Sequence, residues 1–148
     1  MKNIFLFFIA AAVIISFSDR LSASDEAAAV RDVITKAYFN GAFNEQDTGS
    51  MKKGFHPDFA IFSADGNELK KYPISEWISS IEKKKKDPGF DPGRVKLDCR
   101  IISADVTGDA AAAKVEISRG EKLLFTDYLS LLKFDDGWKI VAKVYHRN

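Results

Sequence analysis

Two apolar runs flank the turn Asp135-Asp136-Gly137 and close the chain, from Tyr128 to Asn148. The second run carries Lys139 and Lys143 among apolar residues. Apolar and charged residues alternating around a glycine-containing turn specify a β-hairpin with one face for a core and one for water. Turn length decides which residues share a face, because a slip of one residue turns every side chain over. A three-residue loop with Gly137 left-handed sets Phe134 opposite Trp138. Tyr128, Ser130, Leu132 and Phe134 then share the inner face with Trp138, Ile140, Ala142, Val144 and His146. Lys133, Lys139 and Lys143 share the outer face with Asp127 and Tyr145. A two-residue loop, Asp136-Gly137, mixes these sets and brings Lys133 beside Trp138 and Ile140. An inward lysine is costly unless paired, so the three-residue loop is expected. Tyr128, Ser130 and His146 are then polar groups on the inner face, and they need partners or a ligand.

The rest of the chain has helices first and strands later. Val30, Val33, Ile34, Ala37, Tyr38 and Gly41 form a stripe at helical spacing and predict a helix over 25–42. Asp25 and Glu26 suit its first turn, where the helix dipole favours acids. Phe39 and Phe43 lie nearly opposite the stripe, so the end of this helix is expected to be covered on two sides. A short helix is predicted over 48–54, then a strand over 59–64, a turn at Asp65-Gly66 and a short edge strand over 68–72. His56-Pro57 lies at the helix-to-strand corner, since the residue before proline is pushed out of the helical region. Ile74, Trp77, Ile78 and Ile81 predict a third helix over 73–86, with Pro73 in its first turn and Lys83 to Lys86 as a solvated C-terminal end. From Arg94 onward the pattern is strand, with turns at Gly108-Asp109, Arg119-Gly120 and Asp135 to Gly137. Val95, Leu97, Cys99 and Ile101 alternate with charged residues, as do Ala113, Val115 and Ile117. Segregated helices and a four-strand meander make the class α+β.

The first residues read as a secretory signal peptide, with Lys2, then apolar Ile4 to Phe17, then small residues Ser22, Ala23 and Ser24 at a cleavage site. The apolar stretch is shorter than the roughly 20 residues a membrane span needs. Cleavage is expected after Ser24, giving a 25–148 domain in the periplasm or secreted, with no membrane attachment; a retained anchor is the alternative. The cleaved chain is close to neutral, which gives no nucleic-acid footprint. Cys99 is the single cysteine, so no internal disulfide forms. Its place on an alternating strand is expected to make it a buried small hydrophobe, the alternative being a reactive or intermolecular thiol.

Three stretches carry a resemblance to a known superfamily. They are Tyr38-Phe39-Asn40-Gly41-Ala42, Phe55-His56-Pro57-Asp58, and Asp127 to Leu131 followed by Gly137-Trp138-Lys139-Ile140. In this order they resemble the NTF2-like superfamily, which includes SnoaL-like proteins and ketosteroid isomerase. Within it the chain looks most like the exported bacterial proteins known as putative lumazine-binding. The resemblance implies a cone in which a bent antiparallel sheet wraps a long N-terminal helix, with two shorter helices and a pocket between. It implies a homodimer through the outer face of the sheet. It implies no single activity, because the fold hosts dehydratases, isomerases, epoxide hydrolases and non-catalytic binders. Against ketosteroid isomerase, aligned on Lys133-Phe134-Asp135, the inward acid falls on Ser130. Ser63 and Asp65 lie near the position of the base, so that constellation is incomplete.

Tyr38, His56, Trp77, Tyr128, Ser130 and Trp138 are the expected ligand-binding residues. Each has a plainer reading as a core aromatic or a local cap. His56, His146 and Tyr128 are the candidates for acid–base chemistry. Two histidines far apart and one cysteine give no metal-ligand spacing, and no phosphate loop or nucleophile elbow is present, so no metal or cofactor is expected. The expected function is binding of a small, largely apolar ligand between sheet and helices. The alternatives are a dehydratase or isomerase with a pocket histidine and tyrosine partners, and a dimerising protein-interaction module.

Overall fold

The computed structural model describes residues 23–91, 93 and 96–148. Of the expected signal peptide only Ala23 and Ser24 fall among them. No helix among the described residues is long and apolar enough to cross a membrane.

The N-terminal helix, α1, is α-helical over 23–33 and π-helical over Ile34–Asn44. At its end the Glu45 N–H donates to the Asn40 carbonyl, five residues back, at 2.8 Å. The wider turn brings Phe39 inside together with Ile34, Ala37, Tyr38, Gly41 and Ala42. With Phe43 half-buried, this end is covered on two sides as the sequence suggests. A short helix, α2, spans Thr48–Gly54 and is capped by Asp47, whose carboxylate accepts from the Gly49 N–H at 2.9 Å. It packs closely on α1: a Cβ on Gly54 would lie 2.3 Å from the Cβ of Ala37. That approach is open only to glycine.

Strand β1 (Phe55–Asp65) starts earlier than the alternation suggests, and its pairing with the last strand is irregular between Phe55 and Ala60. It pairs antiparallel with β2 (Glu68–Pro73), the edge strand. Helix α3 (Ile74–Lys84) follows with Pro73 at its N-cap, and it buries Ile74, Ile78 and Ile81. The meander is β3 (Asp98–Thr107), β4 (Ala110–Arg119), β5 (Lys122–Phe134) and β6 (Gly137–Arg147). The sheet order is β2-β1-β6-β5-β4-β3, antiparallel throughout except for the parallel β1–β6 pair. Among the described residues, three helices and an open six-stranded sheet make the expected α+β cone. The core lies between α1 and the inner face of β4, β5 and β6, around Tyr38, Val115, Leu129, Leu131 and Ile140.

The register of the final hairpin differs from the expected one. Phe134 opposes Gly137 and Lys133 opposes Trp138, so the turn is Asp135-Asp136, with Gly137 at φ 109° opening β6. Further along, Leu131 pairs with Ile140 but Ser130 pairs with Ala142. Val141 is therefore an extra residue, a bulge that turns the following side chains over. Trp138 and Ile140 face the core before the bulge; Lys143 and Tyr145 face it after. On β5 the inward residues are Asp127, Leu129 and Leu131, while Tyr128, Ser130 and Leu132 are exposed. Lys143, Asp127 and Tyr145 do share a face, as the alternation requires, but that face is the inner one.

Lys133 stands at the exposed end of the inner face and Lys143 lies inside it; both have partners, which removes the objection to this register. Lys133 reaches Glu26 of α1 at 2.5 Å, and the Trp138 Nε1–H donates to the same carboxylate at 2.7 Å. Lys143 pairs with Asp127.

Candidate functional site

Three elements bring three polar side chains together inside the cone. Asp127 sits on β5 between Val115 of β4 and Tyr145 of β6. Lys143 sits on β6 opposite Leu129. Tyr38 enters from the π-helical part of α1, a geometry often found at functional sites. Asp127 and Tyr38 are fully buried, and Lys143 is 6% exposed. The Tyr38 hydroxyl donates to Asp127 Oδ2 and accepts from Lys143 Nζ at 2.6 Å. Lys143 Nζ is also 3.2 Å from the same Oδ2. Asp127 Oδ1 is buried with no hydrogen-bond partner among the described residues. The ammonium lies 5.1 Å from the ring centre of Tyr38, 5.8 Å from that of Trp77 and 5.0 Å from that of Tyr145.

Burial sets the electrostatics. Stripping water from the Lys143 ammonium lowers its pKa below the ordinary lysine value, and the Asp127 carboxylate opposes that shift without cancelling it. Burial, followed by the negative charge of Asp127, holds the Tyr38 hydroxyl well above the ordinary tyrosine value. Burial, with Asp98 and Asp127 adding to it, pushes the Cys99 thiol up to about 11. Cys99 is therefore an uncharged thiol at neutral pH, packed half-buried against the core.

Beside this group opens a cavity of about 450 Å³. Its apolar wall consists of Phe43, Ile61, Trp77, Phe125 and Tyr145, with Tyr72 from the edge strand. Lys143 lines it, as do Ser63, Lys70, Lys71 and Arg147, and among the described residues no acidic side chain does. The amine can thus meet a ligand against an aromatic wall, with a hydroxyl and a carboxylate behind it for moving protons.

Of the residues expected at the site, the structure brings Trp77 and Tyr38 to this place, their rings 6.2 Å apart edge to face. Tyr128, Ser130 and His146, expected to point inward, are exposed on the opposite face of the sheet, Tyr128 by 51%. The Val141 bulge and the two-residue turn put them there. Trp138 is buried as expected, but its indole N–H is held by Glu26 and it does not line this cavity. His56 caps its own corner, accepting from the Asp58 N–H at 3.1 Å, and stacks on Phe134 at 4.9 Å. It borders a second cavity of about 420 Å³, with Ile74 and Ile78. The inward acid facing a tyrosine, sought at Ser130, is supplied by Asp127. Among the described residues no three His, Cys, Asp or Glu side chains gather as a metal site.

Comparison with known proteins places this architecture. The family model described as Putative lumazine-binding matches residues 25–146. This chain belongs to that family. Among solved structures, an NTF2-like protein of unknown function from Shewanella baltica OS155 has a TM-score of 0.65 and 29% identity, covering 84% of this chain and 95% of that one. An NTF-2-like protein of unknown function from Silicibacter pomeroyi DSS-3 has a TM-score of 0.63 and 23% identity, covering 84% of this chain and 98% of that one. The chain is thus NTF2-like in fold. A curated relative from Cladobotryum sp, named Aldolase FrzH, is 29% identical over 115 residues, or 77% of this chain and 87% of its own.

The buried trio gives a direct stability test. Asp127→Leu leaves the Lys143 ammonium buried without its carboxylate and is expected to cost about 3–5 kcal/mol. Lys143→Met leaves the carboxylate stranded and is expected to cost a similar amount. The double variant removes both charges and is expected to recover most of the loss. Urea unfolding of the four proteins measures this; a double variant as unstable as the two losses summed would contradict the pairing.

Proposed function

We propose that this protein is an exported NTF2-like domain whose cavity binds a small, largely apolar carbonyl compound. In this reading Lys143, Tyr38 and Asp127 move protons to and from the bound ligand. One observation carries it: a cavity with an aromatic wall and a basic, polar rim has a buried amine in that wall, backed by a hydroxyl and a carboxylate. Ligand pockets are commonly apolar with a few convergent polar groups. Groups whose ionisation is shifted by burial beside a cleft mark candidate catalytic sites. The aldolase name of the Cladobotryum relative supports carbonyl chemistry, since aldol reactions run through the enol or enamine of an aldehyde or ketone. The proton carriers in this reading are not His56 or His146, because neither lines the cavity. An anionic substituent on the ligand would meet Lys71 or Arg147.

The outer face of the sheet supports a second, compatible reading. Tyr128, Leu132 and Val144 are exposed there by 51%, 41% and 50%. Apolar side chains clustered on an open sheet face favour a partner surface, and a second copy of the chain is the partner we propose. Native mass spectrometry of the protein secreted from its own host is expected to show a dimer of chains beginning at Asp25. A monomer would contradict the dimer, and a chain retaining its first residues would contradict cleavage.

The carbonyl reading is tested with phenylacetone, an aromatic ketone with exchangeable α-protons. Wild-type protein in D₂O is expected to accelerate loss of the α-proton NMR signal. Asp127→Asn is expected to lower that acceleration by about 10²–10⁴-fold, the usual span of a positioned acid or base. Unchanged exchange in this variant, once shown to be folded, would remove Asp127 from the proton path.

A further inference from the structure

We infer that Lys143 is a nucleophile that condenses with the carbonyl group of its ligand, making the cavity a covalent, iminium-forming site for aldehydes or ketones. This role rests on the cavity being a pocket for carbonyl compounds and adds a bond to it.

Position singles out Lys143 from the other lysines of the cavity. Lys70 is exposed and paired with Glu68 at 2.6 Å. Lys71 is exposed as well. Both side chains stand in solvent rather than in the protein interior. Lys143 Nζ lies instead against Trp77 and Tyr145, two residues of the cavity wall, at 5.8 and 5.0 Å from their ring centres. Desolvation of this kind activates a lysine amine.

The hydrogen-bond chain supplies the proton transfers that the condensation needs. The Tyr38 hydroxyl stands between Nζ, 2.6 Å away, and Asp127 Oδ2. An ammonium proton passes to the Tyr38 oxygen as the Tyr38 proton passes to Asp127, leaving a neutral amine. The nitrogen lone pair forms a bond to the carbonyl carbon, and the π pair of the C=O moves to oxygen. A proton travels from nitrogen to that oxygen through the Tyr38 hydroxyl, giving the carbinolamine. The proton held on Asp127 returns by the same route to the hydroxyl group. The C–O bond breaks, water leaves with the bonding pair, and the nitrogen lone pair closes the C=N bond. In sum, ammonium plus carbonyl gives iminium plus water, and Asp127 is again a carboxylate.

Charge conservation favours this route in this place. The iminium carries the same single positive charge as the ammonium it replaces. A fully buried carboxylate therefore has a cation beside it at the start and at the end, and no isolated charge is stranded in the core. Asp127 Oδ1, buried without a partner among the described residues, is a further acceptor on the same carboxylate. Loss of an α-proton from the iminium would give an enamine, the carbon nucleophile of aldol chemistry.

Reductive trapping tests the bond. Full-length mature protein is incubated with phenylacetone and sodium cyanoborohydride, digested and mapped by mass spectrometry. Quenching of tryptophan fluorescence reports binding independently, since Trp77 lines the cavity. The expected result is a gain equal to the ketone less one oxygen atom on the peptide carrying Lys143, at least tenfold above any other lysine. Lys143→Arg is expected to lose this adduct, and a matching melting curve shows that it is folded. Quenching in the wild type with no adduct on Lys143, or with adducts spread evenly over surface lysines, would overturn the covalent role and leave the pocket reading standing. Neither quenching nor adduct in the wild type would overturn both.

Discussion

A carboxylate with no exposed surface is the interaction on which this structure turns. Asp127 is fully buried, and burying an ionised carboxylate alone costs several kcal/mol even after relaxation. Its charge is balanced by Lys143 at 3.2 Å, and its Oδ2 is also bonded by Tyr38. These three residues come from α1, β5 and β6. Satisfying one carboxylate therefore fixes the helix against the sheet, and it fixes the parity of β6 beyond Val141. A register that put Lys143 on the water face would strand Asp127, so hairpin and helix docking are specified together.

Such a pair is a poor device for stability alone. Apolar side chains of similar volume in its place are often neutral or stabilising. A core that nevertheless keeps an amine, a hydroxyl and a carboxylate beside an aromatic cavity departs from local rules, and such departures cluster at functional sites. The lysine has its own pH signature. Its folded pKa lies below the unfolded one, so between the two values the folded chain binds fewer protons than the unfolded chain. Through that window this group makes stability rise with pH, the reverse of a lysine that gains strength from a surface partner.

Much of the fold was legible because periodicity reports it directly. The stripe from Val30 to Gly41, the stripe from Ile74 to Ile81 and the alternation through Ala113, Val115 and Ile117 located α1, α3 and β4. Glycine-containing turns at Gly66, Gly108 and Gly120 located the hairpins; all three glycines have φ near 60°. The face of β5 is not legible in the alternation, for a specific reason. Excluding an inward lysine assumed no partner inside, yet Asp127 and Lys143 already stood on one face in the same pattern. Two charges of opposite sign sharing a face are as consistent with a buried pair as with a solvated one. Alternation also cannot show a bulge, because Val141 is apolar and either parity leaves apolar residues on both faces of β6. Tyr38 and Trp77 were found because helical stripes survive such slips, whereas Asp127, Lys143 and Tyr145 were missed because strand parity does not.

The most direct test is the ionisation of Lys143 itself. Protein carrying ¹⁵N-labelled lysine is titrated by NMR, with the Lys143 side-chain resonance assigned from its absence in Lys143→Arg. A buried amine held between Asp127 and Tyr38 is expected to titrate below the ordinary lysine value of 10.5. Its resonance is also expected to shift when Tyr38→Phe removes the bridging hydroxyl. A titration at or above 10.5, unaltered by Tyr38→Phe, would mean a solvated ammonium outside the core and would contradict the site described above.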